Sequence, residues 1–552
     1  MKKHIKIFIA GMIVLSAITA CKKSFLDEKV FSTYTPEKLT DSLAFEAAIV
    51  GIQNQYSTWH SLGADPISNS QGFLTVWQIG TDVAFNKAVA DLDPYSIPYT
   101  NYENLTSTDP SLLYAWTWAY KLINNCNMVI ENVEKPELVM GQKNKSSISA
   151  EAQFFRAVAY HTLVTLFGKV PVVTKPISGP KTDFVRAPLN EVNDLIVADL
   201  TFAKVNLPSI ESVKTNSKGR VYARANKSMA SQLLAEAYLR MGGKDALAEA
   251  ECNEVINSGN FSLMTNRFGI KSTQPGDAFA DMFIYGNQRR SQGNKESIWV
   301  LELENPSTVV GGTGTELPLG GANPIGSPQH RRVWGSRYHQ QAGMLLCDSL
   351  GGRGISRMAL TYWVLNKLYE TKDMRNSQYN LRRKYYYNNP AFPKYGQLVV
   401  PGPGIDTTRF IVPQTNKWNQ FDPQDEFGFA MIKDIIVMRL GETYLLKAEA
   451  QFKQGNLAAA AETLNILRAR SNATPISGAD VTLDFILDER ARELLAEENR
   501  RMTLMRTGTL VSRVAGRGVK VTGVSAKNLL LPIPLSEIQL NKDAVMEQNP
   551  GY

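Results

Sequence analysis

Apolar residues spaced three and four apart mark out helices along much of this chain. Ala152, Phe155, Ala159, Leu163 and Leu166 form one stripe, closed by Gly168 and Pro171. Met229, Leu233, Ala237 and Met241 form a second, closed by Gly242 and Gly243. Leu440, Tyr444, Ala448 and Phe452 form a third, closed by Gly455. Leu483, Leu487, Ala491, Leu494, Met502 and Met505 predict one long fourth helix, closed by Gly508. A glycine just past the last periodic residue is the expected C-cap, because it turns left-handed without a Cβ clash.

Two of these helices open look-alike units. AEAYLRMGG at 235–243 matches AEAQFKQGN at 448–456, and a second amphipathic stretch follows each, Ala246 to Ile256 and Leu457 to Arg470. Small alanines allow close approach and the glycine turn reverses the chain, which is the logic of a tetratricopeptide helix pair. The two units lie far outside a repeat of about 34 residues, so dispersed pairs are expected in place of a continuous array. Segments 112–134 with 149–167, and 189–206 with 225–241, supply further pairs. Between about 260 and 435 the periodicity gives way to Gly, Pro, Asn and aromatic residues, as in GGTGTELPLGGANPIGSPQHRRVWGSRYH (311–339) and PGPGIDTTRF (401–410). SIWVLEL at 297–303 is a short β-like piece within it. Irregular loops held by a rigid scaffold are where binding usually sits.

The amino terminus has a different pattern. MKKHIK carries three lysines, and the apolar run Ile7 to Ile18 is too short to cross a bilayer core of roughly 30 Å. This is the form of a secretory signal. Its end, Ile18-Thr19-Ala20-Cys21, has the form of a bacterial lipobox, in which the cysteine is acylated and becomes the first residue. Several acyl chains hold far more firmly than one, so a tethered, exported, water-soluble chain is expected. An ordinary signal peptide with Cys21 nearby by chance is the plainer alternative.

Composition changes this picture little. Hydrophobic residues make up 43% and charged residues 20%, an ordinary globular mix. The net charge of +8 comes from 60 basic and 52 acidic residues that are interspersed, so nucleic acid is not expected as a partner. The densest basic run, Arg382-Arg383-Lys384 before three tyrosines, reads as a surface strand. With Cys21 acylated, Cys126, Cys252 and Cys347 remain, an odd number that excludes a full disulfide framework. Cys126 and Cys252 fall in apolar-periodic segments, where a buried free thiol is the default.

Several stretches resemble blocks of the SusD/RagB family of outer-membrane lipoproteins: CKKSFLDEKV, AEAQFFRAVAYHTLVTLFGKVPVV (150–173), RANKSMASQLLAEAYL, NKESIWVLEL and YETKDMR. The carboxy-terminal blocks IVMRLGETYLLKAEAQFKQGN, ILDERARELLAEENRRMTLMRTG and LLLPIPLSEIQLNKDAVMEQNPGY carry the resemblance most specifically. Met505-Arg506 departs from the usual family pattern without touching a functional position. The resemblance implies a mainly α fold, with tetratricopeptide-like helix pairs forming a scaffold that supports a loop-rich irregular half. It implies a signal at 1–20, a first helical part at 21–260, a loop-rich part at 261–435 and a carboxy-terminal helical part at 436–552, in one integrated fold. It also implies a lipid-anchored position on the outer membrane facing outwards, a SusC-like TonB-dependent transporter as partner, and an oligomeric nutrient, usually a glycan, as ligand.

No enzyme signature accompanies these features. HExxH, P-loop and CxxC motifs are absent from the sequence, and His330 and His339 read as hydrogen-bonding histidines without a metal. Glu489, Arg490, Arg492, Glu493, Glu497, Glu498, Arg500 and Arg501 stand three and four apart on a helix, the spacing of structural ion pairs. An arginine beside a carboxylate lowers its pKa and makes it a poor general acid. Trp116, Trp118 and Trp299 read as core. Sugar binding calls for flat aromatic faces on loops beside amide or charged hydrogen-bonding groups. Two regions offer them. Tyr95, Tyr99, Asn101 and Tyr102 lie in TDVAFNKAVADLDPYSIPYTNYEN (81–104), and Trp334, Arg337, Tyr338, Trp363 and Trp418 lie in the loop-rich middle. The resemblance places one wall of a glycan site in each region. A binding lipoprotein without cofactor, metal or catalysis is the expectation. A peptide- or other-nutrient-binding homologue and a secreted glycan-degrading enzyme are the alternatives.

Overall fold

Capping residues set the helix starts. Asp109 Oδ1 accepts from Ser111 N at 2.8 Å, with Pro110 at the first helical position, and Asn226 Oδ1 accepts from Ser228 N at 3.0 Å. Such caps satisfy amide groups that have no partner inside the helix. The structure, a computed structural model, describes residues 39–60, 71–86, 96–213, 223–303, 329–421, 431–517 and 521–552. Cys21 and Tyr95 lie outside them.

Seven helices precede the irregular half: α1 Ser42–Ser57, α2 Gln71–Val76, α3 Pro110–Val133, α4 Gln142–Phe167, α5 Leu189–Asn206, α6 Lys227–Met241 and α7 Asp245–Ile256 among the described residues. Within the irregular half lie α8 Ala278–Asp281, α9 His330–Trp334 and α10 Tyr362–Asn366. After it come α11 Leu440–Lys453, α12 Leu457–Arg470, α13 Leu483–Leu494, α14 Arg500–Arg506, α15 Leu510–Gly516 and α16 Leu535–Leu540. Gly168 and Gly242 end α4 and α6 at φ of 71° and 73°, as the stripes predict.

The long helices pack in chain order from α3 to α7, each on the next, and α11 and α12 pack likewise. The two look-alike units are not dispersed, however. α7 packs directly on α11, so the helix series is continuous in space although 257–439 intervenes in sequence. The excursion closes on itself through β2 (Ser297–Leu301) and β6 (Ile435–Arg439), which pair antiparallel. Two further antiparallel pairs brace it, β1 (Ala84–Phe85) with β3 (Ala359–Leu360) and β4 (Leu381–Arg382) with β5 (Gln414–Thr415).

The predicted fourth helix is two helices. The chain leaves helical geometry after Leu494, passes through Ala496 at φ 65° and resumes at Arg500. Groups from elsewhere in the chain take the carbonyls this break releases. Lys417 Nζ and Arg439 Nη2 each donate to Glu493 O at 2.8 Å, Trp418 Nε1 donates to Ala496 O at 3.0 Å, and Gln78 Nε2 donates to Glu498 O at 2.6 Å. Apolar periodicity cannot register such long-range donors.

Candidate ligand-binding site

The two regions expected to form the site meet at β1 and β3. Ala84 lies opposite Leu360 and Phe85 opposite Ala359. Thr361 reinforces the join, its N donating to Val83 O at 3.0 Å and its Oγ1 to Asp82 O at 2.8 Å. Asn86 Nδ2 then donates to Arg357 O at 2.8 Å.

Beside this join lies a cavity of about 230 Å³, lined by Arg332, Arg337, His339, Gln340, Arg353 and Arg357. Its walls are two strips of backbone. α9 brings in Arg332, and 351–358 runs alongside, with Ile355 N donating to Arg332 O at 2.9 Å, Ser356 N to Gly335 O at 2.8 Å and Met358 N to Val333 O at 3.0 Å. Gly335 and Gly354 permit the approach: a Cβ on Gly354 would stand 2.0 Å from Gly335 O. Arg337 Nε donates to Ile355 O at 2.8 Å, which fixes that guanidinium against the second strip.

Arginines crowd the cavity. Burial, and after it the guanidinium groups of Arg353, Arg331, Arg357 and Arg337, bring the Arg332 pKa down to about 10. Burial, followed by Arg353 and Arg337, brings His339 down to about 4, so its imidazole is neutral at pH 7. His339 Nδ1 has no hydrogen-bond partner among the described residues.

Of the expected ligand residues, Arg337 lines this cavity. Six aromatic expectations are corrected, because their rings are core. Tyr99 and Tyr102 are fully buried and flank Arg501, whose Cζ sits 4.2 Å and 5.3 Å from their ring centroids. Trp334, Trp363 and Trp418 are buried together in a second apolar cluster with Leu360 and Leu495. Trp418 also stacks on His330 at 4.1 Å, and Arg517 lies 4.8 Å over Trp363. Tyr338 is buried, with its ring 6.3 Å from that of Tyr385. Asn101 caps a short turn, accepting from Glu103 N at 3.1 Å, away from the cavity.

Comparison with known proteins adds the ancestry. A family model described as "SusD family" matches residues 366–552, and one described as "Starch-binding associating with outer membrane" matches residues 25–239. The chain belongs to the SusD family. Among curated relatives, a SusD-like protein of Formosa agariphila is 24% identical over 97% of this chain and 96% of its own. "Starch-binding protein SusD" of Bacteroides thetaiotaomicron is 25% identical over 73% of this chain and 72% of its own. Among solved structures, "Laminarin binding SusD-like protein" superposes with a TM-score of 0.67 at 23% identity, over 93% of this chain and 100% of that one. "Surface glycan-binding protein A from Bacteroides thetaiotaomicron in complex with laminarihexaose" superposes with a TM-score of 0.67 at 19% identity, over 92% and 100%. These likenesses establish a mainly helical SusD fold.

The SusD-family scaffold holds its site wall through buried ion pairs. Arg500 and Arg513 grip Asp82, next to β1, at 2.7 and 2.8 Å. Burial raises the Asp82 carboxyl, but these arginines outweigh it and hold the pKa at about 2. Arg439 Nη1 lies 2.7 Å from Glu296 and 2.6 Å from Glu493, while Arg375 Nη1 lies 2.8 Å from Glu489 and 3.0 Å from Glu493. Glu489, Arg490, Glu493, Arg500 and Arg501 are thus internal, and their role is the structural one their spacing implies.

Arg332, Arg353 and Arg357 escaped sequence reasoning because they sit in two separate stretches. A legible signal exists: from 317 to 369 the chain holds Arg331, Arg332, Arg337, Arg353 and Arg357 but only Asp348 as an acid. Two other cavities are less apt. One of about 340 Å³ beside α3 includes Trp116, Tyr120 and Asn124. There Tyr120 OH donates to Pro171 O at 2.8 Å and Asn124 Oδ1 accepts from Ile177 N at 2.8 Å, so these polar groups already hold the chain's own backbone. One of about 180 Å³ includes Trp59, Glu236, Glu442 and Arg490. Its Glu442 carboxyl is engaged by Arg490 at 2.9 Å and by Gln232 at 3.0 Å. Among the described residues no cluster of His, Cys, Asp or Glu suits a metal ion, and no helix is long and apolar enough to cross a membrane.

Proposed function

We propose that this chain is a cell-surface nutrient-binding lipoprotein. It captures an oligosaccharide on the face where β1 meets β3 and passes it to a SusC-like TonB-dependent transporter, without catalysis. The observation that carries the reading is the pairing of segment 81–86 with 357–361 beside a cavity lined from 332–357, on a SusD-type scaffold. Relatives whose names specify starch or laminarihexaose support a glycan as the ligand class. Acylation at Cys21 anchors the chain to the outer leaflet, and the helices serve as a platform. Arg337 and Tyr95 contact ligand.

The test is a thermal-shift screen of the purified chain against a panel of oligosaccharides, with reducing ends assayed in the same samples. At least one glycan is expected to raise the midpoint with no new reducing ends. Fresh reducing ends would overturn the non-catalytic reading, and no shift with any glycan would overturn the ligand class.

A further inference from the structure

A flat ring recognises a sugar only if its face reaches solvent, and few rings in this fold do. Among the described residues four aromatic side chains stand exposed, Tyr285, Tyr362, Tyr386 and Tyr395, all of them in the irregular half. Tyr362 is the most exposed, at 70%, and it directly follows the stretch that joins β3 to β1. A ring left in water forgoes the stabilisation that burial brings, and the neighbouring Trp363 shows that the same segment buries one where packing calls for it.

The backbone under Tyr362 is braced on both sides. Thr361 N donates to Val83 O at 3.0 Å and Thr361 Oγ1 to Asp82 O at 2.8 Å. Trp363 is pinned beneath Arg513 and Arg517, and Arg383 Nη2 donates to Leu365 O at 3.1 Å. Asn366, exposed like Tyr362, lies one helical turn further on the same side of α10. Its Nδ2 donates to Tyr362 O at 3.0 Å. That bond fixes the amide and leaves Oδ1 as an acceptor beside the ring.

A pyranose carries C–H bonds on its ring face and hydroxyls around its edge. The slightly positive C–H bonds pack on the electron-rich face of an aromatic ring, and an edge hydroxyl donates to an amide oxygen. We infer that Tyr362 and Asn366 form a stacking subsite for one pyranose residue of the captured saccharide. The C–H face of that sugar lies on the Tyr362 ring, and one of its hydroxyls donates to Asn366 Oδ1. This inference rests on the glycan reading above and deepens it, because the class recognised is then a saccharide with an unsubstituted C–H face. Preorganisation favours the contact, since a braced segment loses little freedom when the sugar arrives.

The experiment uses the full chain and calorimetry with laminarihexaose, maltohexaose, cellohexaose and xylohexaose. Tyr362→Ala is expected to weaken the best-bound probe about tenfold, while Tyr362→Phe and Tyr362→Trp stay within about twofold of the parent, because stacking uses the ring and not the hydroxyl. Asn366→Ala is expected to cost about threefold to fivefold, the usual worth of one neutral hydrogen bond. The unliganded melting midpoint should be nearly unchanged in all four variants, as both side chains point to solvent.

Unaltered affinity in Tyr362→Ala, with a probe still bound by the parent chain, would overturn the inference and leave the glycan reading intact. Equal losses in Tyr362→Phe and Tyr362→Ala would overturn stacking, and so would a loss of affinity accompanied by a lowered midpoint, which would make the tyrosine structural. Failure of the parent chain to bind any of these saccharides would overturn both readings.

Discussion

At the scale of single residues, neighbours decide what a side chain can do. Trp363 is buried at 7% exposure beneath Arg513 and Arg517, whereas the adjacent Tyr362 stands 70% exposed. The sequence alone marked Trp363 as a loop aromatic, and only the packing around β3 shows that its neighbour is the exposed one. Tyr386 shows the same effect, exposed between buried Tyr385 and Tyr387. The thiols carry a residue-scale prediction. Cys126 and Cys252 are fully buried, and burial pushes both thiols up, away from the reactive thiolate. In a chain carrying Cys21→Ser, an aromatic disulfide reagent should modify one thiol, the half-buried Cys347, until denaturant is added. Rapid modification of two or more thiols under native conditions would contradict this burial.

At the scale of elements, α13 and its following break join the two halves. Arg439, on β6, sits among Glu296, Glu493 and Glu497, so Arg439→Met would leave three buried carboxylates without their shared cation. The expected loss is about 3–5 kcal/mol, read as a lower urea midpoint with unchanged slope. A loss below about 1 kcal/mol would mean that the network is redundant. The same network sets the acid limit. Arg375, Arg492 and Arg468 outweigh the effect of burial on Glu489 and hold it at about 2, against an ordinary value of 4.5. A carboxyl depressed in the fold contributes stability above its unfolded pKa and loses it as pH falls through the folded one. The melting midpoint should therefore drop steeply between about pH 4.5 and pH 2, and a level midpoint across that window would contradict the ion-pair account. The spacing of acids and bases along α13 made structural pairing legible. The burial of Glu489 and Glu493 was not, because their partners include Arg375 and Arg439, distant along the chain.

At the scale of the whole molecule, a continuous helix series carries an irregular half whose loops surround an arginine-lined cavity. If Cys21 is the anchor, Cys21→Ser should move the chain from the envelope to the soluble fraction on cell fractionation. Unchanged sedimentation with the envelope would remove the tether from the proposal.

Local order belonged to the sequence alone. Helix stripes, their glycine stops, the buried thiols and the irregular middle follow from side-chain periodicity and backbone freedom over a few residues, so they were readable without a fold. The joining of α7 to α11, the break after Leu494, the burial of six candidate aromatics and the gathering of arginines from 332 to 357 were decided by tertiary structure. Each depends on a partner distant along the chain, and linear spacing carries no record of which distant groups a fold will bring within hydrogen-bond or charge range.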